Sequence, residues 1–145
     1  MTEIIGVRFK SGGKQYYFDR SGAMRTGWVY DEGWYYYYGN GYKAYGWVYD
    51  NGHWYYLEPE NHGKMFDAGW RLIDGAWYFL YADGQMAENC WLNLGGNWYY
   101  FDNNGYMTVG WQQVDGSWYY LGTDGKMETG WKKINGVWYY LQEDG

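Results

Sequence analysis

The sequence predicts an all-β solenoid of stacked β-hairpins, and three observations carry that expectation. First, all twelve tryptophans fall into two slots of one repeating unit of about twenty residues. One slot follows a glycine at Trp28, Trp47, Trp70, Trp111 and Trp131, and follows Cys90 at Trp91. The other opens an aromatic run: Trp34-Tyr35-Tyr36, Trp54-Tyr55-Tyr56, Trp77-Tyr78-Phe79, Trp98-Tyr99-Tyr100, Trp118-Tyr119-Tyr120 and Trp138-Tyr139-Tyr140. Second, an Asp-Gly or Asn-Gly pair separates the slots at Asn51-Gly52, Asp74-Gly75, Asp115-Gly116 and Asn135-Gly136, with Asp31-Glu32-Gly33 and Gly95-Gly96 as variants. Such pairs accept the positive φ of the tight turn that matches strand twist. Third, no stretch shows the 3.6-residue periodicity of a helix. Repetition of this kind marks an architecture in which neighbouring units supply each other's core.

Composition narrows the possibilities. Phe, Trp and Tyr make up 26% of the chain and Gly contributes 24 residues, while aliphatics are sparse. A core of stacked rings spaced by glycine turns is therefore expected. No segment approaches the ~20 apolar residues that a membrane-spanning helix needs, so no membrane insertion is expected. A net charge of −6 leaves no basic stripe for a polyanion and argues against a nucleic-acid partner. Acidity of this order suits a cationic or neutral ligand. Cys90 is the one cysteine, which excludes an internal disulfide. The start, Met1-Thr2-Glu3-Ile4-Ile5, lacks the pattern of a signal peptide.

The units follow in order. Residues 1–12 are expected to form an N-terminal capping segment, with Val7-Arg8-Phe9 as a strand. Residues 13–145 are expected to form the solenoid of about seven units. The first, Lys14-Gln15-Tyr16-Tyr17-Phe18, carries glutamine in the tryptophan position, as an end unit can. Links at Ser21-Gly22, Asn40-Gly41, Asp83-Gly84, Asn104-Gly105 and Asp124-Gly125 join each hairpin to the next. The link Glu58-Pro59-Glu60-Asn61-His62-Gly63 is longer than its equivalents and reads as a surface loop. Gly145 aligns with Gly125, so the last unit reads as incomplete, as in a piece of a longer exported protein. The sheet edge left open there is one that a homodimer could cover.

Within a run, alternate side chains share a face, so Trp118 and Tyr120 point one way while Tyr119 and Leu121 point the other. Trp111 can lie near Trp118 across the hairpin. One ring from the following hairpin would complete three aromatic walls. A quaternary ammonium suits such a box, having diffuse positive charge and no donor to satisfy.

Gly110-Trp111, Gly116-Ser117-Trp118-Tyr119-Tyr120-Leu121 and Gly125-Lys126-Met127-Glu128-Thr129-Gly130-Trp131 together resemble the choline-binding, or cell-wall-binding, repeat of Gram-positive surface proteins and phage lysins. The likeness runs from residue 13 to residue 145. It implies hairpins wound into a left-handed superhelix, with choline of teichoic acid held in the clefts between them. On that likeness the candidate boxes pair both tryptophans of a hairpin with the last ring of the next run. They are Trp28, Trp34 and Tyr56; Trp47, Trp54 and Phe79; Trp70, Trp77 and Tyr100; Trp91, Trp98 and Tyr120; and Trp111, Trp118 and Tyr140. Which tyrosine of each pair faces the ligand stays open. Met65, Met86, Met107 or Met127 can close the floor. Lys43 departs from the pattern by standing in the methionine position, where a cation would repel choline.

The expected function is thus non-catalytic attachment to a cell wall from outside the cell, with no cofactor and no metal. His53 and His62 fall in expected turns, and Asp102-Asn103-Asn104-Gly105 lacks the rest of a calcium loop. A carbohydrate-binding module for glucans or host glycans is the alternative, since related repeats serve that role and indoles stack on sugars. A ligand-free stalk is the third.

Overall fold

The computed structural model describes residues 6–145 and is built almost wholly of antiparallel hairpins. Residues 1–5 of the expected N-terminal cap lie outside the described residues. β1 (Gly6–Ser11) pairs along its length with β2 (Lys14–Asp19), so the chain enters its first hairpin at residue 6. The same pairing joins β3 (Gly27–Tyr30) to β4 (Trp34–Tyr37) and β5 (Gly46–Asp50) to β6 (His53–Glu58). The short β7 (Lys64–Met65) adds to β6. β8 (Gly69–Ile73) pairs with β9 (Ala76–Leu80), and β10 (Cys90–Leu94) with β11 (Asn97–Phe101). β12 (Gly110–Val114) with β13 (Ser117–Leu121) and β14 (Gly130–Ile134) with β15 (Val137–Leu141) complete the set.

Turn chemistry fixes these registers. In Asp115-Gly116 both central residues have positive φ, 50° and 82°, the type I′ geometry whose twist matches the flanking strands. At the entry to each hairpin the left-handed residue is usually glycine, such as Gly110 at φ 78°. Cys90 stands in that position without left-handed backbone because the turn has moved one residue back, to Asn89 at φ 51°. Asparagine tolerates that region far better than a thiol-bearing side chain would. The long link at 58–63 folds as one turn of 3-10 helix, Pro59–Asn61, ending in left-handed His62.

The links between hairpins are locked by Asx turns. Asp124 Oδ1 accepts from the Lys126 amide at 3.0 Å, and Asp102 Oδ1 accepts from the Asn104 and Tyr106 amides at 2.9 and 3.0 Å. Each link then returns one residue to the hairpin before it. Leu121 bridges Met127, Phe101 bridges Met107, and Tyr37 bridges Lys43.

Two compact units divide the chain. One holds the residues up to Ala68 together with Leu80–Met86, and the other holds Gly69–Phe79 with Ala87–Gly145. In the first, Tyr37, Leu57 and Leu80 are fully buried; in the second, Phe101 and Leu121 are, with Leu141 close behind. These are all the fourth position of the aromatic run. The core is built of rings such as Tyr17, Tyr37, Tyr78 and Phe101, as expected, and of a leucine line besides: the fourth position is leucine in four of these six residues.

Candidate functional site

Strand parity decides which rings meet. In the β12–β13 hairpin Trp111 lies opposite Tyr120, and Gln113 opposite Trp118. Directly opposed residues share a face, so Trp111, Trp118 and Tyr120 form one surface. Tyr119 projects from the other, toward the hairpin before it. Every junction whose rings lie within one unit obeys this rule.

Trp28 and Trp34 stand 6.5 Å apart at 87°, two walls of a corner, and Tyr55 of the next hairpin closes to 4.8 Å from Trp28. Trp70 and Trp77 repeat the corner at 6.2 Å, with Tyr99 at 4.9 Å from Trp70. Trp91 has Tyr119 at 4.8 Å. Trp111 has Trp118 at 6.4 Å and Tyr139 at 4.9 Å. Trp47 and Trp54 form the same perpendicular pair at 6.4 Å.

Open cavities lie against these corners. One of about 390 Å³ is lined by Trp28, Trp34, Tyr55, Met65 and Asp83. A second, of about 420 Å³, is lined by Trp70, Trp77, Tyr99, Met107 and Asp124. A third, of about 290 Å³, has Trp91, Trp98, Tyr119, Met127 and Asp144. A fourth, of about 430 Å³, holds Trp111, Trp118, Tyr139 and Tyr140. Two indoles, one phenol ring and a thioether thus recur around three separate hollows, each with a carboxylate at its margin. Among the described residues the last hairpin has no ring following it, and Trp131 and Trp138 are 68% and 61% exposed.

The third wall differs from the one expected. Tyr56 packs on Trp47 at 5.0 Å, Phe79 on Trp70 at 5.7 Å, Tyr100 on Trp91 at 5.0 Å and Tyr120 on Trp111 at 5.1 Å. Tyr140 likewise packs on Trp131 at 5.2 Å, although it also lines the fourth cavity. The last ring of each of these runs therefore braces the tryptophan of its own hairpin, while the middle rings Tyr55, Tyr99, Tyr119 and Tyr139 reach the previous one. The physical reason is the two-residue period of a strand, which puts the last ring on the same face as its own tryptophans.

Sequence reasoning named the last ring of each run and left open which tyrosine faces the cleft; the structure brings Tyr55, Tyr99, Tyr119 and Tyr139 against the tryptophan of the preceding hairpin. Sequence reasoning missed Asp83, Asp124 and Asp144, whose approach depends on how hairpins stack. Burial, with the Asp50 carboxylate beside it, raises the Tyr36 hydroxyl above its usual value. Asp50 also accepts from the Trp28 indole N–H at 3.0 Å, which fixes that wall.

No group of three or more His, Cys, Asp or Glu side chains among the described residues is placed to hold a metal ion. His53 opens β6, and His62 closes the 3-10 turn. No helix among the described residues is long and apolar enough to cross a membrane.

Comparison with known proteins bears on this geometry. A family model described as a choline-binding repeat matches residues 68–109, 90–128 and 108–145, and one for a cell wall binding repeat matches 9–24 and 46–60. Choline-binding protein F of Streptococcus pneumoniae is 35% identical over 95% of this chain and 50% of its own, with a TM-score of 0.82. The same protein solved with a tetrasaccharide-pentapeptide peptidoglycan analogue is 36% identical over 95% and 50%, with a TM-score of 0.81. The pneumococcal cell-wall endolysin of phage Cp-1, complexed with choline, is 36% identical over 70% of this chain and 30% of its own, with a TM-score of 0.60. This chain thus spans about half the length of choline-binding protein F and under a third of the endolysin. Comparison with curated proteins gave no match.

Proposed function

The chain belongs to the choline-binding repeat family, and we propose that its interhairpin boxes hold the trimethylammonium group of choline on teichoic acids. The module would then fasten whatever is joined to it to the outside of a Gram-positive wall, without catalysis of its own. The observation that carries this reading is the recurrence of one corner: two tryptophans, a tyrosine from the next hairpin and a methionine around an open hollow. The choline reported in the related phage endolysin supports the same chemistry.

The chemistry favours a cation over a sugar. An onium group has no polar hydrogen, so it needs no acceptor inside the box and gains from the electron-rich ring faces. Asp83, Asp124 and Asp144 at the margins add attraction for positive charge and none for a neutral sugar's apolar face. Each ring contributes roughly 0.5–2 kcal/mol. Three give a few kcal/mol, which corresponds to about millimolar affinity. A single box is a weak anchor. Several facing a polymer with repeated head groups gain by effective concentration, commonly a factor of ~10²–10⁴.

Chromatography on a tertiary-amine resin tests the reading. Retention with release by free choline, and no binding to dextran, supports it. Passage through the resin together with binding to dextran would replace it with the glycan-binding reading, and indifference to both would leave a stalk.

A further inference from the structure

The first junction, between the β1–β2 and β3–β4 hairpins, carries a different set of residues at every corner but one. Register defines the equivalences. Arg8 lies opposite Tyr17, as Trp111 lies opposite Tyr120, so Arg8 holds the first tryptophan slot. Gln15 holds the second. Tyr35 is the middle ring of the following run and supplies the tyrosine wall. Lys43 holds the methionine position: it bridges Tyr37 as Met127 bridges Leu121. Its amide donates to the Gln15 carbonyl at 3.0 Å, as the Met107 and Met127 amides donate to Trp77 and Trp98 at 2.9 and 2.8 Å.

Lysine is one heavy atom longer than methionine, so from the same backbone position its ammonium passes beyond the floor and into the space the floor bounds. The contacts agree with that reach. Lys43 Nζ stands 4.4 Å over the Tyr35 ring and donates to Gln15 Oε1 at 3.5 Å. The residue is only 5% exposed. Arg8 sets its guanidinium 5.0 Å from the same ring and is tied to Asp31 at 3.1 Å. Where the Trp28, Trp70, Trp91 and Trp111 junctions leave an aromatic hollow, this one has a cation of the chain against its tyrosine.

We propose that the first junction is a box already occupied by the protein's own ligand, with the Lys43 ammonium taking the place of an external onium group on Tyr35. Choline is excluded there, because a second cation would have to enter beside Lys43 and Arg8. The first two hairpins are consequently joined whether or not choline is present, while the tryptophan-lined junctions wait for ligand. This assignment rests on the proposed onium boxes, and its test separates the two ideas.

Proton–carbon NMR of the intact protein reads the occupant directly. The ε-methylene protons of Lys43 are expected upfield of those of exposed Lys10 and Lys126, through the Tyr35 ring current. They are expected to stay there, as are the Tyr35 signals, when choline is added until the Trp28, Trp70 and Trp91 indole signals saturate. Lys43 protons at the position of exposed lysines, or choline-dependent shifts of Lys43 and Tyr35, would overturn the assignment. If no indole responds to choline, the onium-box reading fails while the Lys43 shift is still judged on its own. The converse substitution exports the device. Met107→Lys is expected to remove one choline site by calorimetric stoichiometry; a folded variant that binds the wild-type number would contradict the proposal.

Discussion

Tyr99 and Tyr100 are chain neighbours that serve different tryptophans. Tyr99 stands 4.9 Å from Trp70 of the preceding hairpin, and Tyr100 stands 5.0 Å from Trp91 of its own. Tyr99→Leu is expected to weaken choline at the Trp70 box by roughly two- to thirtyfold, the equivalent of one cation–π wall. Tyr100→Leu is expected to leave that box unchanged, and site-resolved titration of the Trp70 indole distinguishes the two. Lys43 supplies a second test at this scale. Burial first, and then the charge of Arg8, lower its pKa to about 8 from an ordinary 10.5. Between these values the folded protein binds fewer protons than the unfolded chain, because burial costs the ammonium more than the Tyr35 ring returns, so stability rises as pH increases through that window. Tyr37 and Tyr78 act in the opposite sense. Burial raises both to about 12, so the stability they contribute is present below pH 10 and is lost as pH rises toward 12. Denaturant titrations are therefore expected to show stability climbing from pH 8 to 10 and falling above it, with the climb absent in Lys43→Met.

At the level of the hairpin, turn and run divide the labour. Asp115-Gly116 needs positive φ at both positions, and Gly116→Ala is expected to cost about 1 kcal/mol and lower the melting temperature. The run Trp118-Tyr119-Tyr120-Leu121 sends its rings to the clefts and its leucine inward. Leu121 is fully buried and Trp118 is 55% exposed. Leu121→Ala is expected to cost ~2–5 kcal/mol. Trp118→Ala should leave the β signature by circular dichroism intact while weakening retention on amine resin; global unfolding by Trp118→Ala would assign that ring to the core instead. The hairpins themselves were legible in the sequence, because Asp-Gly and Asn-Gly turns and the paired slots are local signals that tertiary context had no reason to override. The leucine line was less legible, since a composition dominated by rings hides four small buried residues. The third wall was named as the last ring of each run, with the choice between the two tyrosines left open. Strand parity already placed Tyr120 beside Trp118, and following it would have sent Tyr119, rather than Tyr120, to the neighbouring hairpin. The carboxylates Asp83, Asp124 and Asp144 had no local signature, because their approach to a box depends on stacking between links far apart in the chain.

For the whole molecule, repetition links folding to binding. Each box is made by two hairpins, so on the proposed function choline would bind only where both are in place and would stabilise them by mass action. Ten times the dissociation constant is worth about 1.4 kcal/mol per site. On the proposed reading, a chain bound to choline would have its Trp28, Trp70 and Trp91 junctions closed by ligand and its first junction closed by Lys43. The central claim is that these hollows take an onium group, and choline titration followed at the tryptophan indole N–H signals tests it most directly. The account predicts saturable shifts for Trp28, Trp34, Trp70, Trp77, Trp91 and Trp98, and none at Trp138, where no following tyrosine completes the walls. Shifts that never saturate, or that reach Trp138 as strongly as the rest, would contradict it.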